Sequence, residues 1–420
     1  MNTVRYCIAV ALLCAVGVYC AHAGGFQLNE HGTKAMGMGG AFAAQASDGS
    51  AIFFNPAGLA FQQGFRVLVG VTPVLPINKF VSPSGIVTKM KKQTFFLPHA
   101  YGSYALDNGL TFGVGFYAPY GLGTEWPSTY SGRYLAVKTD LKSFYFNPSV
   151  AYKVNDKFSI GIGGSYVWSK VTLNRKVQLV RPGIPPTVLP DGNVDLDGTG
   201  HGFDFSAGIL TKPTPELSIG ASYRHFVKID YTGNAVFSNM GSYASLFPGG
   251  VGKTRITFPN NIFIGVGLQP TTNLTLEMDF QYIEWSKYDT LKIDMPVGPT
   301  APAPISRPLQ GPSSSPKNWD NTFIIRLGGE YQLDKLALRA GYIFDRSPQP
   351  DQAVEPMLPD ADRNEITAGL GYELSKEISI DVAYQIIFFH NRTVGLPANT
   401  FPGLYKATAH LFGLSLGYTM

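Results

Sequence analysis

The chain has 420 residues, a formal net charge of +4 and only 15% charged residues, set against 47 Gly, 22 Tyr and 28 Phe. That mixture is too charge-poor for an ordinary water-facing surface, and it carries no basic patch of the kind nucleic acid requires. The three cysteines, Cys7, Cys14 and Cys20, all precede Ala23, which excludes disulfide frameworks and thiolate metal sites from the rest of the chain.

In chain order, residues 1–23 read as a secretory signal. Arg5 supplies the positive end, Ile8 to Tyr19 the apolar core, and Ala21-His22-Ala23 an A-x-A cleavage site. The apolar run is shorter than the ~20 residues a spanning helix needs, and bulky Tyr19 disfavours lipid attachment at Cys20. The mature protein is expected to begin at Gly24. Export, aromatic and glycine richness and the absence of later cysteines point to a bacterial outer-membrane β-barrel.

Residues 24–64 show no alternation and are crowded with Gly and Ala, as suits a segment packed in a confined space. They are expected to form an N-terminal hatch, a plug inside the lumen. Asn55-Pro56-Ala57 is expected to latch the hatch to the wall. Its Pro stops a strand ladder and its Asn satisfies free backbone groups, while Ile52, Phe53, Phe54 and Leu59 pack against the lumen.

From residue 65 to 420 the periodicity is two. Phe412, Leu414, Leu416, Tyr418 and Met420 are apolar with small or polar residues between, and Leu274 to Tyr282 and Ile378 to Phe388 repeat the pattern. Such runs occupy 65–78, 93–106, 110–118, 141–154, 158–175, 200–211, 217–230, 254–269, 274–288, 319–333, 336–346, 362–374, 378–390 and 406–420. These predict an all-β fold, a 14-stranded antiparallel transmembrane β-barrel. Tight turns such as Asp107-Asn108-Gly109 alternate with the long links 79–92, 119–140, 176–199, 231–253, 289–318, 347–361 and 391–405, which places the barrel ends and short turns in the periplasm.

Prolines crowd the first strands: Pro73 and Pro76, then Pro98, Pro119 and Pro148. A closed barrel has no edge on which to hide them, so the wall is expected to be unpaired there, with a lateral opening near Pro98, Pro119 and Pro148. The stretch holding Tyr117, Tyr120, Leu122 and Trp126 reads as an exposed extracellular patch for low-affinity capture of apolar ligands, or equally as interfacial aromatic belt. Inward parity selects Arg175, Arg224, Lys228, Arg326 and Glu330, with Lys317 just outside its strand. Each basic residue is a ligand-binding candidate or half of a lumenal ion pair with Glu277, Asp279, Glu330 or Asp381. No catalytic set, cofactor motif or metal cluster stands out, and the seven histidines are scattered.

Gly25 to Glu30, Asn55-Pro56-Ala57, Tyr120 to Glu125 with Tyr130-Ser131-Gly132, Phe344 to Pro348 and Pro359 to Arg363 recur here in order. On these residues the chain resembles the FadL family of long-chain fatty acid channels and their relatives that import aromatic hydrocarbons. Its terminal Met420 departs from the more usual Phe. The resemblance implies passive uptake of hydrophobic small molecules by a monomer embedded in outer-membrane lipid or detergent. The ligand passes from apolar loops to a lumenal pocket, and leaves through hatch movement and the wall. It further implies that Arg175 and Lys317 meet a carboxylate and that Phe26 lines the pocket; Arg326 and Lys228 complete the candidate set. Fatty acid and aromatic or alkane hydrocarbon remain alternative substrates, and an adhesin or enzyme is the remoter reading.

Overall fold

The computed structural model describes residues 24–296 and 313–420; the predicted leader and part of the predicted link 289–318 lie outside the described residues. Among the described residues the wall has fourteen strands. They are β1 Phe65–Val81, β2 Phe95–Ala105, β3 Leu110–Tyr117, β4 Lys138–Asn155, β5 Phe158–Val177, β6 Gly192–Thr214 and β7 Leu217–Arg224 with Val227–Ser238. There follow β8 Gly250–Phe258 with Asn261–Thr271, β9 Leu274–Ile283 with Thr290–Asp294, and β10 Ser313–Pro316 with Thr322–Leu333. Last come β11 Leu336–Asp345, β12 Arg363–Glu373, β13 Ile378–Phe389 and β14 Gly403–Thr419. Each strand pairs antiparallel with the next, and β14 returns to β1 from Arg66↔Thr419 to Val81↔Leu404, closing the cylinder.

Period-two alternation sets which side chains face out. Leu276, Phe280, Leu327, Leu370, Leu414 and Leu416 stand outward, between 40% and 48% exposed, a surface for hydrocarbon. Their neighbours Glu277, Asp279 and Ser415 are buried inward. The extracellular half of the wall is taller than the alternation predicts. β6 starts at Gly192 and β7 runs on to Ser238, so much of the expected links 176–199 and 231–253 is strand. The outward face of that part of β6 carries Asp195, Asp197 and Thr199, a surface for water, which removes the apolar stripe by which a membrane strand is recognised.

One irregularity reverses a parity. Along β6, Ser206 pairs with Arg224, but Thr199 pairs with Thr232, a one-residue slip absorbed at His225-Phe226. Below this bulge Gly220, Ser222 and Arg224 point inward; above it Val227, Ile229 and Tyr231 do. A bulge flips every later side chain to the opposite face. Lys228 is therefore exposed on the outside, not in the lumen as strict alternation predicts.

The segment before β1 lies inside. It forms helix α1 Thr33–Gly37, helix α2 Ala51–Phe54 and a 3-10 turn Pro56–Phe61, nearly all buried. Gly39 and Gly40, at φ +65 and +69, make the left-handed turn that reverses the chain after α1. Polar bonds fasten this hatch to the wall. The amides of Phe42 and Ala43 donate to Asp279 Oδ2 (2.8 and 2.9 Å), and those of Ala44 and Gln45 donate to Glu277 (2.7 and 3.0 Å). Glu277 and Asp279 thus hold hatch amides instead of lumenal cations. Buried Arg224 pairs with Asp204 at 3.2 Å and donates to the carbonyls of Ile52 and Phe53.

Asn55 caps the 3-10 turn, which Pro56 begins at its first position, where no backbone donor is needed. Its Oδ1 accepts from Ala57 N (3.1 Å), and its Nδ2 donates to Ala43 O (2.8 Å) and to Ile209 O of β6 (2.9 Å). Ser159 Oγ donates to Ala57 O at 2.8 Å. The wall makes room through Gly161 and Gly208, where a Cβ would collide with Pro56 and Asn55. The 3-10 turn that the motif begins carries the hatch on to Phe61 before β1. Asn55→Ala leaves three buried partners unmatched, a loss of about 1–3 kcal/mol. Faster hydrogen exchange of amides 41–60, with unchanged thermal unfolding of the barrel, is the expected result.

Candidate functional site

The wall has a seam at β3. The β2–β3 ladder runs from Ala105↔Thr111 to Ala100↔Phe116 and stops there, while residues 95–98 of β2 remain paired with β1. Beyond Tyr117 the chain leaves the wall at Ala118-Pro119-Tyr120 and resumes as Gly121–Glu125, paired with β4 and not with β2. Hatch backbone meets the diverted turn. Leu28 N donates to Pro119 O (2.9 Å) and Gly121 N donates to Phe26 O (3.1 Å). Ser143 Oγ accepts from Tyr120 N and donates to Tyr120 O. Above the gap, Lys91 N donates to Glu125 O, and the two side chains pair at 2.6 Å. The ring of Phe95 stands against Gly123, where a Cβ would strike it.

Behind the seam lies a cavity of about 450 Å³, bounded by Phe26, Leu97, Ala118, Leu122, Arg363 and Leu411. It reaches the outer surface at Phe96, whose ring is 65% exposed on the lipid side. A narrower slot of about 40 Å³ lies beside it, walled by Leu141, Val171, Leu173, Ile256, Tyr288 and Trp319 and bearing Lys317 and Glu355. Phe26, Leu122, Leu141 and Leu358 border both spaces.

Phe26 is the partition. It is buried in an aromatic cage, with ring centroids 4.6 Å from Trp285, 5.5 Å from Tyr288, 5.7 Å from Trp319, 6.0 Å from Phe258 and 6.2 Å from Tyr120. Edge-to-face contacts of this kind hold a ring in place without any hydrogen bond. The hatch around it is anchored by Gly25 N donating to Asp360 Oδ2 (3.1 Å) and Arg363 Nη2 donating to Gly25 O (2.8 Å). Burial raises the Asp360 carboxyl above its ordinary pKa. His31 donates from Nε2 to Leu28 O at 2.7 Å, and burial pushes its pKa down to about 3, so it stays neutral against Phe53.

Lys317, 4% exposed, pairs with Glu355 at the slot. Arg175 points into the lumen nearby, opposite Val194 of β6, and its charge acts on the same Glu355. The structure thus brings Phe26 and Lys317 to one slot, while Arg175 borders neither space and acts there only through the charge of Glu355. It separates Arg326, which donates to Asn29 Oδ1 (3.0 Å) and Gln281 Oε1 (2.6 Å) and lines neither space. Arg326 is committed to the hatch. Lys228 is outside the barrel for the reason given above.

The expected capture patch is also redrawn. Tyr117, Tyr120 and Trp126 are buried, because β3 turns inward where a surface loop was expected; Trp126 Nε1 donates to Pro356 O at 2.9 Å. Leu122 is half-buried and borders both spaces. Of the prolines, Pro119 sits in the diverted turn and Pro98 on the flank of the seam. Pro148 instead faces outward beside a two-residue gap in the β4–β5 ladder, one strand away. Glu355 and the Trp285, Tyr288 and Trp319 cage were missed by sequence reasoning. Glu355 lies in a long link, where alternation assigns no facing, and the three rings fall at the ends of the predicted strands 274–288 and 319–333, where a 3-10 turn at Trp285–Lys287 and irregular chain before Thr322 replace the ladder.

Residues 14–420 match the family described as "Outer membrane protein transport protein (OMPP1/FadL/TodX)". Over 450 residues the chain is 27% identical to the long-chain fatty acid transport protein of Escherichia coli O157:H7, covering 98% of this chain and 97% of the relative. Its fold is similar to a FadL homologue of Pseudomonas aeruginosa, with a TM-score of 0.82 at 21% identity across 94% of this chain and 100% of the other. The toluene transporter TodX of P. putida follows with a TM-score of 0.74 at 18% identity, across 94% and 99%.

Facing fixes a contrast between two lysines. Lys228→Ala should leave the affinity for an anionic amphiphile such as laurate within about twofold, whereas Lys317→Ala should weaken it about tenfold, the worth of one charge-assisted contact. Calorimetry in a neutral detergent reads both.

Proposed function

The chain belongs to the outer membrane protein transport family of OMPP1, FadL and TodX, and we propose that it carries long-chain fatty acids passively from outside the cell into the bilayer. The observation that supports this most is the pairing of chemistry with connection. Lys317 borders a mostly apolar slot, with Arg175 inward on β5 and within electrostatic reach of the same Glu355, and Phe26 alone of the hatch residues borders both that slot and the larger space behind the seam.

In this reading the carboxylate settles by Lys317 and Arg175 while the tail lies among Leu141, Val171, Leu173 and Ile256. Ligand pressing on Phe26 loosens the aromatic cage and the hatch strand bonded to Pro119 and Gly121. The tail then enters the larger cavity, and the molecule leaves sideways between Phe95 and Gly123. Asn55, Pro56 and Ala57 hold the hatch base during this movement. A single closed barrel leaves no strand edge to be covered, so a monomer suffices. Catalysis, a cofactor and a metal are outside this reading.

A second reading has one observation of its own. Glu355 already neutralises Lys317, which leaves the slot suited to an uncharged hydrocarbon, as the name of the similar toluene transporter suggests for that protein.

Competition between oleate and toluene for uptake into cells carrying this protein as their one such channel separates the readings. Arg175→Ala with Lys317→Ala should abolish oleate uptake and leave toluene uptake unchanged; equal loss of both overturns the fatty acid reading. Gly123→Trp fills the seam from β3, and it should cut uptake at least about tenfold while the dissociation constant stays within about twofold, because exit and binding are different steps. Normal uptake in that variant removes the lateral route.

A further inference from the structure

Among the described residues Glu355 is the one acidic side chain that borders the slot. It accepts from Lys317 Nζ, with 23% of its own side chain and 5% of the lysine's exposed. Arg175 feels the same carboxylate electrostatically and makes no side-chain hydrogen bond or ion pair of its own among the described residues. A carboxylate inside an apolar slot, bound to one cation with a second at hand, has the head-group chemistry of a fatty acid.

Glu355 is carried by a loop, not by the wall. Three side-chain bonds from two other segments strap that loop over the slot. Trp126 Nε1 donates to Pro356 O (2.9 Å), Thr124 Oγ1 to Met357 O (3.1 Å), and Asn399 Nδ2 to Val354 O (2.7 Å). Within the loop Gln349 Nε2 donates to Leu358 O at 3.0 Å. These bonds go to backbone carbonyls on either side of Glu355, so the loop stays in place whether or not the Glu355 side chain is seated.

We propose that Glu355 is a built-in stand-in for the ligand's carboxylate and so sets the channel's preference between charged and neutral ligands. It keeps Lys317 paired while the slot is empty and gives way to an incoming carboxylate, which takes over the same cations. A neutral ligand has nothing to exchange for that ion pair and must fit beside it. The inference rests on the carboxylate reading above.

The test compares oleate with oleyl alcohol, two ligands of equal tail, by calorimetry on the full barrel in neutral detergent. Glu355→Gln removes the competitor and should tighten oleate about tenfold, while oleyl alcohol stays unchanged or weakens because Lys317 is left bare. Glu355→Asp, which keeps the charge and shortens its reach, should give a smaller gain in the same direction, and it decides the matter if Glu355→Gln does not fold. Equal shifts for both ligands, or weaker oleate binding, overturn the proposal. If Arg175→Ala with Lys317→Ala binds oleate like the parent, the carboxylate reading itself fails. If that pair abolishes oleate binding and both Glu355 variants leave the oleate-to-alcohol ratio unmoved, only the stand-in fails.

Discussion

Hydrocarbon offers no partner to a bare amide or carbonyl, so a chain that crosses a bilayer as strands must close its ladder on itself. The return of β14 to β1 meets that demand, and the remaining features follow from it. Fourteen strands enclose a lumen too wide for wall side chains alone to fill. The chain before β1 occupies it. An apolar molecule that enters such a lumen from the extracellular end meets a polar plug and periplasmic water ahead, and lipid to the side. To the side, β3 has given up its ladder with β2 and taken hatch backbone instead, which is where the proposed exit lies.

The hatch is held by chemistry suited to letting go. Its firm seats are amides on Glu277 and Asp279, the side chain of Asn55 and the bonds from Arg224, all toward the base and the wall. Its N-terminal end is fastened by two hydrogen bonds to the diverted turn, two to Asp360 and Arg363, and the rings around Phe26. Ring contacts are non-directional compared with amide bonds, and a second apolar body can replace them without leaving a polar group unmatched. That asymmetry is why the proposed movement is assigned to Phe26 and the fixed end to Asn55.

Particular residues show where sequence reading works and where it stops. Arg175 and Arg326 face inward as alternation requires, because β5 and β10 carry no bulge between the lipid belt and those positions. Lys228 does not, because one extra residue at His225-Phe226 is invisible in a pattern of polar and apolar letters. Tyr117, Tyr120 and Trp126 looked like a surface patch only because the links after strands were taken to run outward. A turn into the lumen uses the same aromatic residues to build a core. Arg326 and Glu277 had the right facing and different partners, since the hatch reached them first, through the Asn29 side chain for Arg326 and the Ala44 and Gln45 amides for Glu277.

Composition and period-two alternation alone determined a closed transmembrane barrel and its strand count, since burial against lipid imposes a strict local pattern on every wall residue. The seam, the slot, the separation of Lys317 from Arg326 and the carboxylate of Glu355 were decided only by the tertiary structure. Each arises where segments distant in the chain meet inside the lumen. There, neighbours from the hatch, β3 and the loop before β12 determine what a side chain touches, and no local periodicity records them.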